Sequence, residues 1–375
     1  MNKIASIRIG LRDRFERIYT EDLVRLSRKR RAKQIFPLKA PYAKELTREQ
    51  KEEISAYWKP YRNIDKEMHW FAFYNAFCDD KSQLKHYIPD GVYFTDMDFP
   101  LTSPRRSDDL DDKNMYDLYF HDVSMPETVI RIMSGEFLDK DYRLITLDQA
   151  LALCQEAGRF VCKEARLSMG GYGVSFFDLT STSAGEFRQW LEKNRNRSIN
   201  VQRVIEQHES ISRIHPSSIN TIRVMSLVFE GEVHILSTII RMGQGGAIVD
   251  NASKGGMMTG VTSDGWLGEY AFDQYGKRWS QHPQGTVFKG TRIVGVDRCH
   301  DVVRRLAGRM CCTTKLMSWD FAVDPAGEPV LIEVNLTYSG VVIHQLCNGP
   351  IFGDLTDKML SYVYHNESPL TNHNL

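Results

Sequence analysis

The 375-residue sequence lacks several features that would restrict its function. No stretch approaches the roughly 18–20 consecutive apolar residues that a membrane-spanning helix needs. The first ten residues already contain Lys3 and Arg8 and lack the apolar core of a secretion signal. Internal repeats and low-complexity segments are also missing. We therefore expect a soluble protein and place it in the cytoplasm.

Cysteine does not form a recognisable pattern. The seven cysteines include no Cys-x-x-Cys pair and no zinc-like spacing, and the neighbours Cys311 and Cys312 are poorly placed for a disulfide framework. Cys154 and Cys162 fall in apolar or helical patterns, which is typical of buried thiols. These observations favour a reducing cytosol.

The chain as a whole has no excess of one charge sign, with 48 basic and 48 acidic residues. Neither this balance nor any zinc pattern, RNA-binding strand or recognition helix indicates nucleic acid. The charge is uneven, however, because residues 1–60 hold sixteen Lys/Arg against eight Asp/Glu, with a basic run at 28–33. We interpret this region as solvated helix faces; the alternative is peripheral contact with an anionic membrane or with glycan machinery.

The sequence does contain a helical amino-terminal part, followed by mixed strands and helices. Thr47 to Gln50 has the form of a capping box that opens a helix ending near Trp58. Residues 67–78 are predicted to be a buried helix, residues 92–95 a short strand, and residues 100–113 a linker or exposed loop. We predict an α+β fold. Its expected parts are a basic helical region at 1–100, a small subdomain at 101–210 and a large subdomain at 211–375.

The most informative segment is a predicted hairpin. Apolar strands at 317–323 and 330–335 flank an Asp-Pro-Ala-Gly sequence at 324–327, which suits a type I turn. If pairing is symmetric about this turn, Asp320 lies opposite Glu333. Asn335 then shares the face of Glu333, because side chains alternate along a strand. A bulge at Gly327 would move this register by one residue.

Two opposed carboxylates repel each other unless a cation lies between them. Oxygen ligands of this kind suit Mg²⁺ that is shared with the phosphates of a nucleotide. The other interpretation is a solvated hairpin whose polar face points to water. The apolar side chains of the two strands are expected on the opposite face, which favours a metal site formed by Asp320, Glu333 and Asn335.

Upstream, a lysine and a glycine-rich turn have the composition of a phosphate-binding hairpin. Lys163 ends a predicted strand, and Gly170, Gly171 and Gly173 follow before the next strand begins. Glycine lets backbone N–H groups approach phosphate oxygens, and lysine adds a positive charge. The segment is not a Walker loop, because its Gly-Lys-Ser/Thr ending is missing and a strand follows. A plain flexible turn is the alternative.

A strand predicted at 201–207 ends in polar residues. Its backbone could face an adenine edge, and the nearby carboxylates could face a ribose. The candidates are Glu206, Gln207 and Glu209. An ordinary strand end explains the same residues.

Two arginines and a polar loop follow. Arg223 and Arg241 lie at strand ends, where they could clamp a γ-phosphate or a substrate carboxylate. The glycine-containing loop at 250–256 offers Asn251 and Lys254 as phosphate contacts. Taken singly, each of these residues is also compatible with an ordinary surface position.

Taken in order, these segments resemble the ATP-grasp superfamily, and within it the group of sugar-transfer-associated ATP-grasp proteins. The match spans roughly residues 100–360. The sequences that carry it are Leu110-Asp-Asp-Lys113, Phe160-Val-Cys-Lys163 with Gly170-Gly171, His215-Pro-Ser-Ser-Ile-Asn-Thr-Ile-Arg223, Asp250-Asn251 with Gly255-Gly256, and Ile332-Glu-Val-Asn335. The resemblance implies the ATP-grasp fold, in which two α+β subdomains clasp ATP.

The resemblance also implies residue roles. Phosphate contacts would come from Lys113, Lys163, Gly170, Gly171 and Gly173. The adenine pocket would be bordered by Glu206 and Gln207, and the ribose by Glu206 or Glu209. The transferring phosphoryl group would be stabilised by Arg223, Arg241 and Asn251. Two Mg²⁺ ions would be held by Asp320, Glu333 and Asn335.

Superfamily chemistry implies a ligase. A carboxylate attacks the γ-phosphate of ATP to give an acyl phosphate and ADP, and a nucleophile, usually an amine, then displaces phosphate. The expected partners are a small carboxylate, possibly an amino acid, and an amine- or sugar-bearing acceptor used in bacterial surface-polysaccharide or sugar-conjugate biosynthesis. Two alternatives stay open, namely a kinase acting on a sugar-like hydroxyl and a non-catalytic nucleotide-binding scaffold. The sequence predicts neither the substrates' identities nor the oligomeric state.

Overall fold

Two antiparallel sheets organise the protein. The computed structural model describes residues 23–103, 107, 110–166, 173–181, 183–247, 250, 255–311 and 313–365. The strands of the smaller sheet are β1 Thr128–Met133, β2 Glu136–Leu138, β3 Leu144–Ile145, β4 Arg159–Glu164, β5 Val174–Asp178 and β6 Ile199–Arg203. They are arranged in the order β3-β2-β1-β6-β4-β5.

The larger sheet follows in the chain. Its strands are β7 Thr221–Phe229, β8 Glu232–Met242, β9 Met257–Val261, β10 Leu267–Phe272, β11 Arg278–Trp279, β12 Leu316–Val323 and β13 Pro329–Asn335. They are arranged in the order β11-β10-β9-β8-β7-β12-β13. The β12–β13 hairpin is therefore at one edge of this sheet.

Helices cover both sheets. The first group is α1 Leu23–Lys39, α2 Arg48–Trp58, α3 Met68–Asn75, α4 Asp90–Val92, α5 Asp98–Leu101 and α6 Tyr116–Tyr119. The second group is α7 Leu147–Ala157, α8 Ala184–Asn194, α9 Glu209–Ser212, α10 Val296–Met310, α11 Val342–Asn348 and α12 Thr356–Tyr364. None of the helices in the described ranges is long and apolar enough to cross a membrane.

The amino-terminal helices follow from local signals. Thr47 Oγ1 accepts a hydrogen bond from Gln50 N, and Gln50 Oε1 accepts one from Thr47 N, so the predicted capping box opens α2. The strand predicted at 92–95 is wrong, because these residues continue from α4 into the π-helical segment Tyr93–Met97. Tyr93 and Met97 are completely buried there. Packing has overridden the strand preference of the Val-Tyr-Phe-Thr sequence.

The basic run at 28–33 is only partly solvated. Arg28 Nη1 lies 2.8 Å from Asp98 Oδ2 and donates to Phe94 O at 2.9 Å. Lys29 and Arg30 are exposed. One arginine of the run thus anchors α1 to the helical region, and its two neighbours face outward. Contact of this region with a membrane or with glycan machinery stays an untested alternative.

Three hydrophobic cores hold the elements together. One lies between the amino-terminal helices, α11, α12 and one face of the larger sheet. A second lies between the opposite face of that sheet and α10. A third joins the smaller sheet to α7 and α8. The amino-terminal helices therefore pack directly on the larger sheet.

The side chains of β12 alternate between the two faces of the larger sheet, and each face packs into a different hydrophobic core. Met317, Trp319 and Phe321 belong to the second core, whereas Leu316 belongs to the first. Because side chains alternate, Asp320 is on the face that the amino-terminal helices cover. The polar site is therefore on the same face as these helices.

Candidate active site

The β12–β13 hairpin carries two facing carboxylates, Asp320 and Glu333, which we call the acidic patch. Gly327 N donates to Asp324 O at 2.9 Å, and Gly327 has a φ of 85°, so a glycine bulge follows the turn. This bulge shifts the register near the turn by one residue. A second irregularity between Asp320 and Phe321 compensates, and Asp320 lies opposite Glu333. The predicted pair is confirmed, although it depends on two bulges that cancel.

Asp320 is the centre of the charge network. Its two carboxylate oxygens accept hydrogen bonds from Arg223 Nε and Nη2, at 2.6 Å each. Arg241 Nη1 is 3.3 Å and Asn335 Nδ2 3.5 Å from Asp320 Oδ2. Burial raises the pKa of this carboxyl, but the two arginines outweigh burial and hold the pKa of Asp320 below its ordinary value. Asp320 is therefore ionised at neutral pH.

Strand register brings both arginines to this patch. Arg223 on β7 lies opposite Asp320 on β12, and Arg241 on β8 lies opposite Thr221. Arg241 Nη2 is 3.3 Å from Asp250 Oδ1, and Asp250 Oδ2 accepts a hydrogen bond from Thr221 N at 3.2 Å. Burial lowers the pKa of Arg223, but Asp320 reverses this effect and raises it. Asp250, to which the sequence assigned no role, is a third carboxylate of the patch.

Lys113 joins the patch through Glu333. Lys113 Nζ lies 2.9 Å from Glu333 Oε1, and Lys113 N donates to Ala165 O at 3.0 Å, which fixes the segment beside β4. Asp112, Lys113 and Asn114 are buried. The prediction of a linker or exposed loop at 100–113 is therefore wrong at both ends, because residues 100 and 101 lie buried in α5. Local polarity suggested exposure, but tertiary hydrogen bonds satisfy these groups inside the protein.

Lys163 is a second, partly buried lysine beside the hairpin. In the register it lies between Asn200 on β6 and Val174 on β5. Burial lowers the pKa of its ammonium to about 8, and the Lys113 charge adds to this effect, whereas Glu333 opposes it. The negative charges of Glu333, Asp250 and Asp320 favour the protonated form of this ammonium.

Of the three glycines predicted to contact phosphate, only Gly173 is among the residues that the structure describes. Gly173 has a φ of 75°, and a Cβ there would lie 2.9 Å from Glu164 Cβ. Both the backbone conformation and the lack of space require glycine. The predicted contacts Gly170 and Gly171 lie outside the described residues. So do Asn251 and Lys254.

The segment proposed for adenine leaves the sheet early. β6 ends at Arg203, so the strand predicted at 201–207 is too long. The Gln207 amide donates to Asn220 O and accepts from Asn220 N, both at 2.9 Å. Glu206 and Glu209 are exposed. The chain thus passes from the smaller to the larger sheet here. The side chain of Gln207 is used in the two hydrogen bonds that hold this connection to Asn220.

Two histidines fix the start of the loop that leads to Asn251. His215 Nε2 lies 3.0 Å from Gly245 O, and His282 Nε2 lies 2.9 Å from Gly243 O. A Cβ at Gly243 would be 2.7 Å from the His215 ring. The His215 segment was recognised by resemblance alone, and its contacts supply a physical reason. Nothing in the local sequence pointed to His282.

A cavity of about 260 Å³ lies between the smaller sheet and the hairpin. Its lining includes Lys113, Gln202 and Thr128 on one side and Leu331 and Ile332 on the other. Ile332 is the extra residue that the second bulge inserts into β13. The cavity therefore adjoins the charge network at Lys113.

The protein supplies some of the ligands that a divalent cation needs, but not all of them. Hard oxygen ligands of the kind that Mg²⁺ prefers are present on Asp320, Glu333 and Asn335. In the described part of the chain, no group of three or more His, Cys, Asp or Glu is arranged to hold a metal alone. The remaining ligands would be water and phosphate oxygens. Four cations could stabilise those phosphates, namely Lys113, Lys163, Arg223 and Arg241.

Comparison with known proteins agrees with this geometry. A family model described as sugar-transfer associated ATP-grasp matches residues 100–358. This range begins within α5 and ends within α12, and it contains both sheets and every charged residue of the patch. A search of curated proteins finds no match.

Solved structures give looser similarities. D-alanyl-alanine synthetase A from Vibrio cholerae is 14% identical, with 71% of this chain and 68% of that chain covered and a TM-score of 0.43. D-cycloserine synthetase is also 14% identical, with 80% and 82% covered and a TM-score of 0.39. Such overlaps are too loose to transfer residue roles.

Proposed function

Because the chain belongs to the sugar-transfer-associated ATP-grasp family, we propose that it is an ATP- and Mg²⁺-dependent carboxylate ligase. A carboxylate oxygen of a small acid attacks the γ-phosphorus of ATP, the bond to the bridging oxygen breaks, and ADP leaves. An amine or similar nucleophile then attacks the acyl carbon, loses a proton and displaces phosphate. The family association suggests a role in surface-polysaccharide or sugar-conjugate biosynthesis.

One observation carries this proposal: two lysines and two arginines converge on the carboxylates of one hairpin. Phosphoryl transfer spreads negative charge over the transferring group, so preorganised cations contribute more than an acid or a base. In this proposal Arg223 and Arg241 leave Asp320 and bind the γ-phosphoryl group. Lys113 and Lys163 would bind the other phosphates. Bound Mg²⁺ would neutralise phosphate charge, and two ions are proposed at Asp320, Glu333 and Asn335.

The nucleotide's base has fewer protein side chains available. Gln207 is engaged with Asn220, so backbone groups around residues 204–207 are the proposed adenine contacts. Glu206 and Glu209 are exposed and remain alternatives for the ribose. Gly170, Gly171, Gly173, Asn251 and Lys254 are proposed to close over the phosphates.

An assay of ADP and phosphate release tests the reaction. Purified protein with Mg-ATP is offered amino acids in combination with sugar acids and amino sugars. A ligase releases ADP and phosphate in equal amounts, and only when both substrates are present. A kinase would release ADP without free phosphate and yield a phosphorylated sugar. ATP binding without ADP release across the panel would contradict the proposal and favour a nucleotide-binding scaffold.

A further inference from the structure

Arg131 is an arginine buried in the middle of β1, where only 1% of its surface is exposed. Ile130 and Ile132 on either side of it belong to the third hydrophobic core. Because side chains alternate, Arg131 lies on the opposite face of the smaller sheet. Its register partner on β6 is Asn200, and the partner of Asn200 on β4 is Lys163. Arg131 and Lys163 therefore lie in one row across three strands, on the same face.

The guanidinium of Arg131 holds two segments that border the cavity. Nε donates to Asn114 O at 3.0 Å, and Nη1 donates to Asp139 O at 3.0 Å and to Lys140 O at 2.8 Å. Nη2 pairs with the carboxylate of Asp117. Both Asp117 and Lys140 line the cavity. One side chain thus ties the two parts of this cavity wall to each other.

Through Asn114, the same side chain also fixes the backbone next to Lys113. Asn114 is completely buried, and its carbonyl oxygen accepts a second hydrogen bond from Tyr142 OH at 2.8 Å. Its Oδ1 accepts a hydrogen bond from Asn200 Nδ2 at 3.1 Å. On the other side, Lys113 N donates to Ala165 O at 3.0 Å. The backbone is therefore held on both sides of the Lys113 side chain.

The side chain of Lys113 has to change its partner in the proposed reaction. Its Nζ lies 2.9 Å from Glu333 Oε1. In the proposed function, Glu333 binds Mg²⁺ and Lys113 binds a phosphate. Lysine carries its charge on a long, flexible stem, so the positions that its ammonium can reach depend on where its backbone is held. A fixed backbone lets the ammonium move from the carboxylate to the phosphate within one site.

The stability of the fold does not by itself explain an arginine at this position. Apolar side chains of similar volume can often replace a buried ion pair at little cost in stability. The side chain of Asp117 is 38% exposed, so water can solvate its carboxylate without the guanidinium. Asn114 O would keep the hydrogen bond from Tyr142. What arginine adds is a rigid fork of N–H groups that holds several acceptors in fixed positions.

We infer that Arg131 is a positioning residue, which holds the backbone of Lys113 and the adjoining cavity wall so that the Lys113 ammonium reaches a phosphate of the nucleotide. The inference rests on the proposed function for the nucleotide and for the role of Lys113. In this role Arg131 acts through Lys113 and does not itself contact the nucleotide.

Isothermal titration calorimetry of the full-length protein with Mg²⁺ and a non-hydrolysable ATP analogue tests this role in a double-mutant cycle. Lys113→Met should weaken binding roughly 10- to 100-fold, the usual effect of losing one charged hydrogen bond. Arg131→Met should weaken binding at least about 3-fold on its own, but less than about 1.5-fold when Lys113→Met is already present. A general loosening of the fold would instead weaken binding equally in both backgrounds. Arg131→Lys keeps the charge but loses the fork, so its affinity should lie between those of the wild type and Arg131→Met.

Arg62→Met is the matched control. Arg62 pairs with Asp96, whose Oδ2 accepts a hydrogen bond from Tyr364 OH at 2.8 Å, so it belongs to an arginine–aspartate–tyrosine group like that of Arg131. None of these three residues belongs to the acidic patch or lines the cavity. Arg62→Met should keep the affinity for the analogue, and its melting temperature shows what the loss of such a group costs the fold. If Arg131→Met does not fold, Arg131→Lys is used in the same cycle.

The outcomes separate this inference from the proposed reaction. Unchanged affinity in Arg131→Met, or an equal loss with and without Lys113→Met, would overturn the positioning role alone. Failure of the wild type to bind the analogue would overturn both proposals. A loss of affinity that depends on Lys113, combined with no ADP release for any substrate pair, would support the positioning role while the proposed ligase reaction fails.

Discussion

Replacing Lys163 by methionine is expected to stabilise the protein while abolishing its nucleotide affinity. Burial lowers the pKa of this ammonium from its ordinary value of 10.5 to about 8. At 1.36 kcal/mol per pKa unit, this difference is about 3 kcal/mol of unfavourable free energy. Methionine has a similar length and no charge, so at pH 7 the variant should gain up to about 3 kcal/mol in free energy of unfolding. The lysine would be retained because it binds phosphate.

The stabilisation should depend on pH in a defined direction. Below pH 8, Lys163 is protonated in both the folded and the unfolded protein, so the full penalty is present. Between pH 8 and 10.5 the folded protein has released this proton, but the unfolded chain still holds it. Unfolding then takes up a proton, and the stability of the wild type rises with pH across this window. The advantage of Lys163→Met should therefore shrink above pH 8 and vanish near pH 10.5.

Urea unfolding monitored by tryptophan fluorescence at several pH values measures this difference. Lys39→Met is the control, because burial also lowers the pKa of Lys39 to about 8, while its neighbours are Asp90 and Asp273 instead of the acidic patch. It should show a smaller stabilisation, since Lys39 Nζ donates to Gln274 O, and unchanged nucleotide affinity. A Lys163→Met variant that is less stable at pH 7, or whose difference from wild type ignores pH, would refute the reasoning.

Three further changes test other parts of the network. Glu333→Gln should lower turnover by at least about 10²-fold, while its melting temperature should stay within a few degrees of that of the wild type. Full ADP release with ordinary Mg²⁺ dependence in this variant would exclude Glu333 as a metal ligand. Asp320→Ala leaves Arg223 buried without its main anion, so urea unfolding should show a loss of about 3–5 kcal/mol; a loss below about 1 kcal/mol would mean that Arg241 and solvent compensate. Gly243→Ala places a Cβ 2.7 Å from the His215 ring and should lower the free energy of unfolding by about 1–3 kcal/mol. Gly246→Ala is the control, because a Cβ there has no neighbour within 4 Å; equal melting temperatures for the two variants would contradict the predicted clash.

The sequence was most informative where chemistry and local pattern coincide. Apolar alternation around a turn predicted the pairing of Asp320 with Glu333, because a hairpin is a local structure. The pairing holds only because the two bulges cancel, and the sequence did not predict the second bulge. The family resemblance confirmed by the match to residues 100–358 supplied Lys113, which the residue pattern alone did not single out. Arg223 and Arg241 were predicted near an acidic patch from their positions at strand ends, and the sheet order brings both of them to Asp320. Their contact with a phosphate or a carboxylate stays a prediction.

Other parts of the fold depend on distant contacts. β1 was not predicted, since Arg131 interrupts its apolar run. The structure buries this arginine, which donates to Asn114 O and Asp139 O and pairs with Asp117. Such partners are far from β1 in sequence, or on other elements, and leave no periodic signal.

β9, β10 and β11 illustrate a different limit. They are short, they lie toward one edge of the larger sheet, and glycine-containing turns separate them. Period-2 alternation is weak over so few residues. Their hydrogen bonds to β8 and to each other decide the structure, and those partners are specified only once the sheet has formed.

We propose that the oxygens of Asp320, Glu333 and Asn335 hold a divalent cation that also binds ATP. The most direct measurement is an anomalous-scattering map from crystals grown with Mn²⁺ and a non-hydrolysable ATP analogue. We expect a peak about 2.1 Å from oxygens of those three side chains and from a phosphate of the analogue, with Arg223 released from Asp320. Manganese bound elsewhere, or a nucleotide whose phosphates lie away from the hairpin while Arg223 still pairs with Asp320, would contradict it.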